Sequence, residues 1–146
     1  MNMSKCCKIT PAIAPADGVA ATTDINGAIL DMQGFDGVLM IATFGAITAG
    51  AVTSIKAQQD TASGGGTMAD LAGTAQTIAD SDDEKVFYID LYRPQERYVR
   101  LVVDRATQNA VVASAEYIQY MASDMPVTHG TNVSGETHIS PAEGTA

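Results

Sequence analysis

The sequence predicts an all-β fold: an antiparallel β-sandwich preceded by an extended N-terminal arm and followed by a flexible C-terminal tail. Two observations carry that expectation. Short apolar runs alternate with turn signals at regular spacing, and the runs are rich in Val, Ile, Phe and Tyr, the residues that suit a pleated, half-buried surface. A third sets the scale. At 146 residues, 46% hydrophobic but 5% aromatic and without Trp, the chain has the length of one domain and a core of Val, Ile, Leu, Ala and Met.

Residues 1–18 contain Pro11 and Pro15 and no sustained periodicity, which predicts an arm outside the core. The sandwich is then expected over residues 19–122. Its first strand is Ala28 to Met32, entered through Asn26-Gly27. Asp36-Gly37 reads as a turn into Val38 to Phe44, a nearly continuous apolar run that predicts a central strand buried on both faces. After the turn Thr48-Ala49-Gly50, Val52 to Gln58 alternates in its later half, so one face should be wet. Asp60 to Gly66 is a loop by composition, and Met68 to Ala72 suits either a helical turn or a short edge strand.

A further run, Thr74 to Ile78, leads to the acidic stretch Asp80 to Glu84, expected to be a solvated loop. Val86 to Tyr92 and Tyr98 to Asp104, joined by a polar bend with Pro94, read as a hairpin. Val111 to Tyr120 is the last expected strand, with helix as the alternative because of Ala110, Ala113 and Ala115. Residues 123–146 are small and polar, with Pro126, Gly130, Gly135, Pro141 and Gly144, and are expected to form a mobile or partner-ordered tail.

Seventeen acidic against eight basic side chains give a net charge of -9, which repels phosphate backbones and argues against nucleic-acid binding. No apolar run reaches the ~20 residues of a membrane helix, and Lys5, Lys8 and Pro11 break any signal-peptide pattern near the N-terminus. Synthesis in a reducing cytoplasm follows from the adjacent pair Cys6 and Cys7, whose geometry disfavours a disulfide.

Chemistry finds little footing. His129 and His138 lie in the tail, far from the cysteines, so neither a metal site nor a nucleophile-base pair is expected, and no cofactor is implied. The acidic loop lacks the alternating carboxylates and glycine of a calcium loop, and Gly64-Gly65-Gly66 lacks the Lys of a phosphate loop. The scarcity of aromatics argues against a sugar-cleaving cleft. The one cluster with interface character is Tyr92, Arg93, Arg97, Tyr98 and Arg100. Two readings stand for it: a protein interface, or arginines that solvate a strand face and pair with Asp90 or Asp104 across the hairpin.

The stretch from Asp36 to Val127 resembles the small head decoration, or capsid cement, proteins of tailed bacteriophages, encoded beside the major capsid protein. The phrases that carry the resemblance are Phe35-Asp36-Gly37-Val38-Leu39-Met40, Gly45-Ala46-Ile47-Thr48, Ile55-Lys56-Ala57-Gln58-Gln59-Asp60, Asp82-Asp83-Glu84-Lys85-Val86-Phe87-Tyr88, Arg97-Tyr98-Val99-Arg100-Leu101-Val102-Val103 and Met125-Pro126-Val127. The chain departs from the pattern at Met68-Ala69-Asp70-Leu71, where the family often has an aromatic, and in its longer tail.

The resemblance implies a jelly-roll or related sandwich without catalysis, assembling as a homotrimer on the outside of the capsid and bridging subunits of the major capsid protein. Trimer symmetry would multiply modest contacts. Ile9 and Pro11 in the arm and Pro126 and Val127 in the tail join the expected interface, with residues 1–18 or 126–146 ordering on the shell. Two other classes remain: a host-surface adhesion module binding a receptor or carbohydrate, for which exposed aromatic clusters would speak, and a head-tail connector or tail component.

Overall fold

A computed structural model describes residues 2–140 and 142–144; residue 1 of the expected arm and Pro141 and residues 145–146 of the expected tail lie outside the described residues. A single helical turn, α1 (Met3–Cys6), precedes strands β1 (Lys8–Ile13), β2 (Ile25–Asn26), β3 (Leu30–Asp31), β4 (Phe35–Ile47) and β5 (Val52–Asp60). Then come β6 (Ala69–Asp70), β7 (Gln76–Ile78), β8 (Val86–Tyr92), β9 (Tyr98–Ala106) and β10 (Ala110–Ala122). The all-β expectation is met, and the strand reading of the last segment prevails over helix.

Two antiparallel sheets form. Sheet A runs β1-β10-β4-β8, and sheet B runs β2-β9-β5-β6, with β3 also on β9 and β7 also on β5. β4 is central, as its apolar run predicts. Successive long strands β8, β9 and β10 alternate between the sheets, so each connection crosses the sandwich.

That crossing overturns the expected hairpin. β8 pairs with β4 and β9 pairs with β5, because Phe87, Ile89 and Leu91 pack on the core from sheet A while Val99, Leu101 and Val103 close it from sheet B. The turn between β8 and β9 starts at Arg93, whose φ of 51° redirects the chain and whose N–H donates to Asp36 O at 2.7 Å.

The arm is also corrected. β1 pairs with β10 from Lys8 to Ile13, and Ala12 and Ile13 are buried, so the sandwich begins at Lys8 rather than at residue 19. Asp36-Gly37 is not a turn but the start of β4; Gly34, with φ 84°, turns the chain just before it. Of the first expected strand, Ala28 to Met32, only Leu30–Asp31 forms, as β3, and β2 lies ahead of it, separated from it at Gly27. A Cβ there would lie 2.8 Å from both the Leu101 carbonyl oxygen and the Tyr117 hydroxyl, so only glycine permits the approach. Met68 to Ala72 resolves as the edge strand β6.

Core side chains come from both sheets, chiefly Val38, Met40, Ala42, Phe44 and Tyr117 of sheet A against Ile55, Ala57, Val99, Leu101 and Val103 of sheet B. Tyr117 ties the two together. Fully buried, its hydroxyl accepts from Leu101 N–H at 2.8 Å and donates to Ala28 O at 2.9 Å, and burial raises its pKa far above the ordinary phenol range. Tyr117→Phe keeps the ring but strands a buried donor and an acceptor. It is expected to cost about 1–3 kcal/mol, read as a lower urea midpoint with unchanged slope.

The acidic loop is more than solvated. Asp83 accepts from Ile47 N–H at 2.7 Å, Asp80 from Gly50 N–H at 2.9 Å and Asp82 from Ala79 N–H at 3.0 Å, so its carboxylates brace the β4–β5 turn and their own loop.

Candidate protein-interaction surface

Alternation along β4 buries Val38, Met40, Ala42 and Phe44 and turns Leu39, Ile41 and Thr43 to the outside of sheet A. The same alternation puts Glu116, Ile118 and Tyr120 outside on β10, and Val86, Tyr88, Asp90 and Tyr92 outside on β8. Register assembles these into rows. Ile9, Ile118, Leu39 and Asp90 form one, and Pro11, Glu116, Ile41 and Tyr88 the next. The result is a face of branched aliphatics and tyrosines with few charges, on which Val86, Tyr88 and Tyr92 are 59%, 62% and 52% exposed.

One detail organises its centre. The Tyr120 ring lies over Gly37, where an added Cβ would fall 2.2 Å from the ring, and this lets its hydroxyl cross β4 and donate to Asp90 on β8 at 2.6 Å. Desolvation, reinforced by Asp90, holds the phenol at about 12. Glycine inside the strand is thus explained by a side chain crossing it.

The outer face of sheet B is the opposite in character. Arg100 donates to Gln58 at 2.7 Å, Gln58 to Asp70 at 2.6 Å, Lys56 reaches Asp70 at 3.1 Å and Asp104 at 3.4 Å, and Ser54 joins Asp104 at 3.4 Å. These polar groups satisfy one another in water.

The residues expected at an interface therefore divide. Ile9, Pro11 and Tyr92 come together on or beside the sheet A face. Tyr98 and Arg100 stand on sheet B, and Arg97 is held by Asp31 through contacts of 2.8 and 2.7 Å. The carboxylate partners expected for the arginines are corrected: Arg97 binds Asp31 and Arg100 binds Gln58, while Asp90, in the other sheet, accepts from Tyr120 and Asp104 binds Lys56. Arg93 lies over the Tyr92 ring at 5.1 Å and lines an open cleft of about 580 Å³ with Met32, Phe35, Asp36 and Pro94.

Pro126 is exposed, and Val127 donates its N–H to Lys5 O at 3.0 Å, so the tail follows the N-terminal segment. Sequence reasoning missed Leu39, Ile41, Tyr88, Ile118 and Tyr120. The available signal was that both alternating sets of β4 are apolar, which the core of one chain need not absorb.

Several carboxylates carry charge favourably. Hydrogen bonds from Arg97 lower the pKa of Asp31, those from Gln58 and Lys56 lower Asp70, and Lys85 lowers Asp82. With these groups binding fewer protons folded than unfolded, stability rises with pH through their titration range. Their contribution is present above about pH 4 and is lost as pH falls below it, so urea midpoints should drop between about pH 5 and about pH 3.

Among the described residues no group of three or more His, Cys, Asp or Glu is placed to hold a metal ion, and no helix is long and apolar enough to cross a membrane. No protein-family model matches the chain, and no curated protein or solved structure matches it.

Proposed function

We propose that this chain is a structural decoration protein that cements a tailed-bacteriophage head, docking the outer face of sheet A on the major capsid protein. The observation that carries the reading is the contrast between the two outer faces. A contiguous apolar and tyrosine-rich face marks an interaction site, while a self-satisfied polar face suits solvent.

The order of strands supports the jelly-roll form of this reading. β1-β10-β4-β8 facing β2-β9-β5-β6 is an order compatible with two interwound Greek keys, an architecture that recurs in viral capsid domains. The sequence resemblance contributes the rest: assembly in the host cytoplasm onto the capsid exterior, homotrimeric avidity, and no catalysis, nucleic acid or membrane.

The test is the solution mass by light scattering, followed by cosedimentation with shells that lack the protein. A trimer that pellets only with shells is expected. A monomer that stays in the supernatant overturns the proposal.

Tyr88, Tyr92 and Tyr120 favour one second reading, glycan adhesion, since exposed aromatic clusters stack on sugars. They lie on a flat sheet among Ile and Leu rather than in loops, which suits protein burial better. Chemical-shift changes of these tyrosines with host polysaccharide, and none with shells, would select adhesion.

A further inference from the structure

We infer that His129 is a proton-sensitive latch: its neutral ring holds the C-terminal segment on the free edge of sheet A, and protonation releases it. β1 is an edge strand, covered by β10 on one side only. Unpaired donors along such an edge invite foreign strands. Along the first half of β1 these donors are occupied or absent. Cys7 N–H donates to Met3 O at 2.8 Å, Ile9 N–H donates to His129 Nδ1 at 3.2 Å, and Pro11, two residues further on, has no N–H.

The opposite ring nitrogen fixes the protonation state. Nε2 lies 3.1 Å from Ser4 O, and a carbonyl oxygen only accepts, so Nε2 carries the hydrogen while Nδ1 accepts from Ile9. Both contacts are met together only by the neutral Nε2–H tautomer. A proton added at Nδ1 would confront the Ile9 N–H, donor against donor. The bond from Val127 N–H to Lys5 O, and the 2.6 Å contact between the Ser4 and Thr137 hydroxyls, hold the same segment on either side of the ring.

The ionisable neighbours act in known directions. Lys5 of α1 and Glu136 of the tail line the same cleft, Cys6 and Cys7 join α1 to β1, and Lys8 precedes Ile9. Lys5 opposes an imidazolium. Glu136, which would favour one, is engaged by His138 at 3.0 Å. That second pair strengthens on protonation, so His138 works with the opposite sign. The latch contact requires the neutral ring and is lost when the ring gains a proton. Release frees residues 127–140 and uncovers the Ile9 donor beside the apolar face.

Heteronuclear NOEs and the imidazole nitrogen resonances of the full chain test this at about pH 7.5 and about pH 5. Expected are an Nε2–H tautomer with ordered residues 127–137 at the higher pH, and a fall of their NOEs to free-chain values at the lower. His129→Ala should give free-chain values at both, while His138→Gln should leave the pH dependence intact. A tail equally ordered at both pH values, or a transition abolished by His138→Gln, overturns the latch.

Discussion

Arg105→Met is expected to lower the unfolding free energy by about 3–5 kcal/mol, or about 8–15 °C in Tm. Arg105 is 3% exposed on β9. Its guanidinium donates to Thr23 O at 2.7 Å, Val19 O at 2.8 Å and Ala110 O at 2.9 Å, and its backbone N–H donates to Asp24 at 2.9 Å. One side chain thus ties the segment between β1 and β2, and the start of β10, to sheet B.

Methionine replaces the aliphatic stem but leaves three carbonyls without their donor. Burial lowers the Arg105 pKa, the nearby Asp24 opposes that, and arginine stays charged throughout the accessible range. Arg105→Lys keeps the charge yet lacks the planar fork that reaches three acceptors, so it should recover less than half of the loss. Urea melts of the three proteins decide the matter. A methionine variant within about 1 kcal/mol of the parent would mean that water replaces the fork.

Tyr88→Lys combined with Tyr92→Lys is expected to weaken binding to shells by at least about 100-fold while leaving the fold intact. Both tyrosines project from β8 into solvent, so replacing them costs little core, within about 0.5 kcal/mol. A buried lysine pair would have to be desolvated against an apolar partner, which is what makes the effect large. Val52→Lys on β5 provides the control, since Val52 is 63% exposed on the other sheet. Cosedimentation isotherms should show the double variant failing and the control unchanged. Equal binding by all three would remove sheet A as the docking face.

Of the sheet A face, Tyr92 was picked out by residue type, whereas Ile9 and Pro11 entered only as arm residues that the resemblance places on the shell. Arg97, Tyr98 and Arg100 share that composition and yet belong to another surface. Tyr and Arg signal interfaces only on average, and neighbours in the chain go to different sheets when the connection crosses the sandwich. Arg97 meets Asp31 across 66 positions, a separation to which no local pattern speaks.

The residues alone determined the all-β class and the cores of β4, β5, β8, β9 and β10, because period-two alternation and β-branched composition are local properties of a strand. Tertiary structure alone decided which strands pair. Alternation specifies two faces for each strand but no partner, and β8 and β9 are equally good halves of a hairpin or of opposite sheets until the core is closed. It also decided the meaning of the apolar run Val38 to Phe44. Sequence reads a strand apolar on both faces as buried twice, but the chain has enough mass to cover one face only, and the other, with Leu39 and Ile41, is left at the surface.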